Sequence, residues 1–474
     1  MLARRRVSPC FVSALLLAAC GDSGGATGGA SATMATTVPT SVTATDGSSG
    51  SASATTGGDP TTSGSISDSA SGSTAPTTAM GGTTEAPPKF DLGVQPDGGM
   101  GGCNGGGDVE FSYIWISNSP ENTVSKINTM TLVEEARYNT GPNGDPSRTS
   151  VNLKGAVAVV NRGGGITKIA ATQADCVDTN GDGMITTSTG PGDVKPWGED
   201  ECVLWNVSLP AASRPAAWTS GEKQDPNDKC SPLINEHVWT SAPIGGGAGN
   251  VYLLNGNDGT TINQVTIQGI DGGLGVYGGA VDANNDFWGV TYSAGPLVHV
   301  RFADFSYEVI PLPDFSGGAY GFTVDSKGRS WVGGWNNSLM RYDPMTQQWT
   351  QTTGIPMQYN GLSRGMNQDL DGDLWIAFLG FGGDQGILRV DTDTATFVEM
   401  IDGTKLVGVS TPTGASIDVM GKIWMVDQTK DGGGAWVYNP ADTSVQWVGG
   451  LNGPYTYSDM TGFALKNVSG NPQG

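Results

Sequence analysis

The chain has 474 residues, 46 acidic against 24 basic, for a net charge of −22. That balance argues against nucleic acid or an anionic lipid surface as a partner. It is compatible with solubility and with cation binding.

At the N-terminus, Arg4-Arg5-Arg6 followed by an apolar run from Phe11 to Ala19 reads as a secretory signal, too short to span a membrane. The run ends in Leu17-Ala18-Ala19-Cys20, which resembles the bacterial lipobox, in which the cysteine is lipidated and becomes the mature N-terminus. The expectation is a signal peptide over 1–19 and a membrane partner reached through acyl chains on Cys20, since stable anchoring takes two or more chains. This places the protein in the bacterial cell envelope. Gly21, rather than Asp, after the cysteine favours the outer membrane or cell surface. Residues 20–100 are Ser, Thr, Gly and Ala with scattered Pro, unable to bury enough apolar surface to fold, and read as a disordered tether. At about 5–6 Å × √n its mean reach is roughly 50 Å.

Cys10 leaves with the signal and Cys20 takes the lipid, so Cys103, Cys176, Cys202 and Cys230 remain. An even count in an exported protein points to two disulfides with three possible pairings. Cys176–Cys202 is favoured because it closes one insertion, which leaves Cys103–Cys230.

The remainder, 101–474, rewrites one frame several times. Tyr320-Gly321-Phe322-Thr323-Val324-Asp325 leads through a turn at Gly328 to a strand carrying Trp331, and the frame recurs around Asp282/Trp288, Asp369/Trp375 and Asp418/Trp424. A period of about 40–50 residues built from short strands and turns indicates propeller blades. Blade 1 covers about 112–140, blade 2 runs from Arg148 and blade 3 from Arg214. Blades 4 to 7 occupy about 278–313, 320–354, 364–402 and 413–450. The fold expected is all-β, a seven-bladed β-propeller, with insertions at about 171–201 and 220–236 that leave six or eight blades as alternatives. Blade 1 lacks a strand, and Thr461-Gly462-Phe463-Ala464-Leu465 matches Tyr320 to Val324, so a C-terminal strand is expected to close the ring as the innermost strand of blade 1 and remove the exposed edge. The repeated Asp residues are expected to serve turns, Asp369, Asp371 and Asp373 included, and the Trp column to pack between blades.

Two stretches carry chemistry. Asp178-Thr179-Asn180-Gly181-Asp182-Gly183-Met184 fits the first half of a calcium loop: oxygens from Asp178, Asn180 and Asp182 at positions 1, 3 and 5, a bend at Gly183, and the Met184 carbonyl at 7. Thr189 stands where the bidentate Glu would be, and Asp193, Glu199, Asp200 or Glu201 could replace it. Hard oxygen donors favour calcium, in a structural role. The second stretch is positional. Aligned blades put Ser147, Arg214, Tyr277, Tyr320, Arg364, Thr413 and Thr461 at the entry of each inner strand, with Arg148 one residue inward and Asp459 nearby. Such a ring offers fork-shaped donors and aromatic faces to an anionic or sugar-like ligand.

The Tyr-Gly-Phe-Thr-Val-Asp-x-x-Gly-x-x-Trp frame resembles the virginiamycin B lyase (streptogramin lyase) group of seven-bladed propellers, near the NHL-like propellers. That resemblance implies histidines and a magnesium ion at the channel mouth. Here the only histidines are His237 and His299, neither at an entry position. The residues therefore favour a module binding a small molecule, a glycan or a protein, stabilised by calcium and disulfides. The alternative is a divalent-cation-dependent lyase or lactonase.

Overall fold

The structure, a computed structural model, describes residues 112–469 apart from 143, 226, 228–230, 232 and 271–273, all within the second of two compact units, Glu85–Gly474. The signal, the tether, Cys20, Cys103 and Cys230 lie outside the described residues.

Among the described residues seven antiparallel blades follow one another along the chain, and a small two-stranded sheet, Glu222–Lys223 with Leu233–Ile234, lies in the insertion of blade 3. Blade 1 contributes Tyr113–Asn118, Thr123–Asn128 and Glu134–Asn139. Blade 2 is Pro146–Val151, Val157–Asn161, Ile166–Ile169 and Val203–Val207, and blade 3 is Ala216–Trp218, His237–Gly245, Ala248–Asn255 and Thr261–Gln268. Blades 4 to 7 begin on inner strands Val276–Val281, Gly321–Val324, Gly361–Gln368 and Pro412–Ile417, each followed by three more in order. The inner strands pack side by side from blade 1 to blade 7. Ile114 and Ile116 of blade 1 share a core cluster with Trp424 and Val437 of blade 7, which closes the ring.

Why the frame repeats is visible in its hydrogen bonds. In blade 5 one oxygen of Asp325 accepts the turn amides of Lys327 and Arg329, while the other accepts the Trp331 indole N–H at 2.9 Å. The same i, i+6 bond joins Asp282 to Trp288, Asp369 to Trp375 and Asp418 to Trp424. Gly328, Gly372 and Gly421 turn the corner at positive φ, where glycine has no steric penalty, and Asn285 fills that place in blade 4. The carboxylate thus ties the turn to the fully buried Trp column, and the repeated Asp residues are structural as expected.

Closure differs from the expectation in its residues. The C-terminal segment does lie inside blade 1, but through 454–460: Tyr455 N–H donates to Ser117 O (3.0 Å), Trp115 N–H to Met460 O (2.9 Å), and Pro454 bridges Asn118. Thr461–Leu465, expected to be that strand, instead lead into a helix, α1 (Phe463–Ser469). The innermost place is already taken, and the half-buried Asp459 carboxylate accepts the amides of Thr461, Gly462 and Leu465, which starts a helical turn. Helix α1 sits across the end of the central channel, Leu465 and Val468 in one core cluster and Phe463 in another. A cavity of about 30 Å³ is left behind it, against Trp218, Phe322, Asn367 and Asp459.

Candidate functional site

The entry end of the channel is built by β-bulges. Register slips fall between Pro146 and Arg148, Val276 and Gly278, Ser363 and Met366, and Pro412 and Ala415, on the inner strands of blades 2, 4, 6 and 7. A bulge re-aims the side chain it frees from the ladder. The residues so displaced include Ser147, Tyr277, Arg364 and Thr413, the entry positions read from the sequence.

Within this mouth Tyr277, Tyr320, Tyr455 and Tyr457 pack as one buried cluster. Their hydroxyls converge. Tyr455 Oη lies 2.5 Å from that of Tyr320 and 3.2 Å from those of Tyr277 and Tyr457, and Tyr457 Oη lies 2.9 Å from Tyr320 Oη. Two guanidiniums join them. Arg364 donates to Tyr457 Oη (2.9 Å), Tyr320 Oη (3.3 Å) and the Pro412 carbonyl (2.6 Å). Arg148 is sandwiched between rings, its Cζ 4.2 Å from the Tyr457 centroid and 4.7 Å from that of Tyr277, and donates to the Ser147 carbonyl. Exposure is 1% for Arg148 and 3% for Arg364. Arg214 lies over the Tyr277 ring at 5.5 Å, and Arg162, paired with Asp145, over Tyr455 at 5.0 Å.

Burial should lower the affinity of both guanidiniums for their protons, yet the surrounding phenols hold both above the usual arginine range. Burial likewise pushes up the phenols of Tyr277, Tyr320 and Tyr457. At Tyr455 burial acts the same way, but Arg364 and Arg148, with hydrogen bonds from Tyr277 and Tyr320, outweigh it and bring the phenol down to about 8.

Of the residues picked out in the sequence, Arg148, Arg214, Tyr277, Tyr320 and Arg364 meet at this mouth. Asp459 does not, being committed to the start of α1, and Thr461 stands with it, bonded to Ile417 O. Tyr455 and Tyr457 were missed. Their signal was present: Pro454-Tyr455-Thr456-Tyr457 alternates immediately before the stretch aligned as the closing strand. His237 packs on Phe302, and His299 stacks on Trp288 at 3.8 Å and bonds to Asp286, so both histidines belong to blade walls.

Asp282, Asp286 and His299 bring three potential ligand atoms within 4.8 Å. Their atoms are engaged: Asp282 with Trp288 and the amides of Asn284 and Asp286, Asp286 with His299 and the Phe302 amide. In register, His299 stands opposite Trp288 as Arg341 does opposite Trp331 and Arg389 opposite Trp375. The group is therefore blade architecture.

The two insertions join the third and fourth strands of blade 2 and the first and second of blade 3, which puts both at the face away from the mouth. Cys176 and Cys202 form the expected disulfide. In the loop, Asp178 accepts the amides of Gly181 (2.6 Å) and Gly183 (2.9 Å), Asn180 that of Asp182, and Asp182 that of Met184. Glu201 closes it from the far end, accepting the amides of Thr179, Asn180 and Thr186. The Thr186 amide is the main reason its carboxyl is held below the ordinary glutamate range.

No family model matches the chain, and no curated protein does. Among solved structures it is similar to a streptogramin B lyase at 16% identity, over 66% of this chain and 86% of that one, with a TM-score of 0.46. It is similar to a Lactobacillus plantarum protein at 12% identity, over 74% and 98%, with a TM-score of 0.49. A third is virginiamycin B lyase from Staphylococcus aureus, at 15% identity over 64% and 83%, TM-score 0.40. Identities this low concern the fold alone, and no residue role is carried over.

Proposed function

We propose that the protein is a binding module whose channel mouth takes an anionic ligand, displayed at the cell envelope by acyl chains on Cys20. One observation carries the reading: Arg148 and Arg364 are almost wholly buried and, among the described residues, neither has a carboxylate within ion-pair distance. An uncompensated buried charge is strongly unfavourable, so buried cations are normally paired. The Nε–H of Arg148, moreover, finds no acceptor, and an orphaned buried donor is the kind of group a missing ion or ligand satisfies. A carboxylate or sulfate group supplies both the charge and the acceptor, in the geometry a guanidinium prefers. Because the rings leave the guanidiniums so little exposed, entry of the anion requires a tyrosine side chain to turn outward.

The test is calorimetric titration of the purified protein with sulfate, acetate, glucuronate and neutral glucose. Binding is expected for the anions and not for glucose, weakened about 10- to 100-fold in Arg148→Met or Arg364→Met, the loss of one charge-assisted hydrogen bond at about 1.5–3 kcal/mol. Anion binding unchanged in both variants, or none at all, removes the reading.

A further inference from the structure

Four phenols sharing one hydrogen-bonded knot raise the question of where the protons sit. Tyr455 is the hub: three other hydroxyls reach its oxygen, at 2.5, 3.2 and 3.2 Å. A neutral phenol donates one of those bonds and accepts the rest, whereas a phenolate is acceptor only and takes protons from Tyr320 and Tyr277, the single Tyr457 proton being divided between Tyr455 and the nearer Tyr320 oxygen at 2.9 Å. The 2.5 Å approach of Tyr320 falls in the range of an O–H···O⁻ bond, shorter than the usual spacing between neutral hydroxyls.

Resting on the anionic-ligand reading above, we propose that Tyr455 is the site's own counter-ion: as a phenolate held by Tyr277 and Tyr320 it offsets one of the two guanidinium charges, and an incoming oxyanion takes over that role while the Tyr455 oxygen takes up one proton from solvent. In balance, one O–H bond forms at Tyr455, one proton leaves the solvent and one anion enters the mouth, so the net charge of the site is unchanged for a monoanion and falls by one for sulfate. The charged and titratable groups facing the hub are Tyr277, Tyr320 and Tyr457, Arg148 and Arg364 beside them, Arg162 over the Tyr455 ring with its partner Asp145, and Arg214 beyond Tyr277. The positive groups outnumber the one carboxylate in this set.

The direction of the pH dependence follows from a phenol brought down to about 8. Below that pH Tyr455 already carries its proton, and an anion binds without proton uptake. Above it the phenolate competes, so affinity falls about tenfold per pH unit and the uptake approaches one proton. The site therefore takes strong oxyanions near neutrality and releases them in alkali.

Two measurements on the purified full chain decide this. The first is near-ultraviolet absorbance during a pH titration, which reports tyrosinate directly: the wild type is expected to show one tyrosine ionising near pH 8, absent in Tyr455→Phe. The second is sulfate titration at pH 7 and pH 9.5 in buffers of different ionisation enthalpy, sulfate being chosen because its own charge is constant over this range. Proton uptake near one at the higher pH, and none in Tyr455→Phe, is expected. Should Tyr455→Phe fail to fold, Arg148→Met serves instead, by moving the same ionisation to higher pH. If no tyrosine ionises below pH 9 the counter-ion is refuted while anion binding stands. If the tyrosinate forms and sulfate binds equally at both pH values, the exchange is refuted. If the tyrosinate forms but sulfate binds at neither pH, the anionic-ligand reading itself fails and the exchange fails with it.

Discussion

The Asp of the repeated frame shows what single residues do in this molecule. Asp418 is wholly buried, with one oxygen on the Trp424 indole and the other on the amides of Met420 and Lys422. Replacing it with Ala leaves the buried Trp424 indole N–H without an acceptor, at about 1–3 kcal/mol, and also frees the partly exposed amides of Met420 and Lys422. Asp418→Ala is therefore expected to lower Tm by several degrees, measured by calorimetry, and an unchanged Tm would remove the claim that this bond holds the blade. A pH signature accompanies it. Burial, opposed by the Trp424 hydrogen bond, pushes the Asp418 carboxyl up, as it does at Asp282, Asp369 and Asp459. A carboxyl raised in the folded state binds its proton more tightly there than in the unfolded chain. Its contribution to stability is full below the ordinary aspartate pKa and is lost as pH rises through the folded value. Tm against pH should therefore slope more steeply downward over that window in the wild type than in Asp418→Asn, and parallel profiles would contradict the assignment. This residue-level logic was legible in advance because the Asp, the turn glycine and the Trp recur at fixed spacing. Tyr455 and Tyr457 stand outside the blade repeat, so alignment of the blades could not bring them out, and only their local alternation marked them.

At the scale of elements, the insertion between the third and fourth strands of blade 2 is held at three points rather than by a core: the Cys176–Cys202 disulfide, Glu201 on three amides, and Asp200 on the Ser188 amide and hydroxyl. With the cysteines 26 positions apart in the chain, removing the bridge is expected to cost about 3 kcal/mol in the loop-entropy account. Cys176→Ser/Cys202→Ser should then exchange its 177–201 amides faster than the wild type in hydrogen-exchange mass spectrometry, with the inner strands unchanged. Equal protection would mean that the carboxylate contacts suffice. The calcium proposal is tested on the same element. Asp178, Asn180 and Asp182 already point their oxygens into the turn, each capping an amide, and an ion would gather them with the Met184 carbonyl. Calcium should raise the Tm of the wild type and leave Asp178→Ala/Asp182→Ala unmoved; a calcium shift that survives in the variant refutes the loop. Of this element the sequence disclosed the disulfide, because Cys176 and Cys202 bracket a stretch that interrupts the blade pattern. The bulges at the channel mouth were not disclosed, since a bulge is a relation between two strands and only the entry residues, not their displacement, can be read along one of them.

For the whole molecule the decisive question is how the ring is shut, and there the sequence pointed to the right end of the chain but the wrong residues. The Thr461–Leu465 match to Tyr320–Val324 is a pattern of side chains, and an apolar run of that length suits a helix face as well as an inner strand. What decides is the competition for one place: 454–460 fill the inside of blade 1 first, and Asp459 then turns the chain into α1. The closing stretch touches three separate cores, Met460 in that of blades 7 and 1, Phe463 in that of blades 6 and 7, and Leu465 and Val468 in that of blades 2 to 4. At about 1.5–3 kcal/mol per buried apolar side chain, these four contribute about 6–12 kcal/mol, as much as the whole net stability of a typical domain at about 5–15 kcal/mol. The two parts of the stretch can be separated. A chain ending at Asn452 loses the ring closure, Tyr455 and Tyr457 together, and is expected to show no cooperative thermal transition and no near-ultraviolet circular dichroism. A chain ending at Met460 keeps the bonds to Ser117 and Trp115 and the tyrosine knot while losing α1. It should still unfold cooperatively, at a lower Tm, and should bind sulfate as the wild type does, because the mouth and the helix stand at opposite ends of the channel. If the Met460 chain also fails to fold, α1 is part of the closure rather than a plug added to it. If the Asn452 chain folds normally, the ring is held by blade-to-blade packing alone, and the C-terminal segment serves the mouth and not the fold.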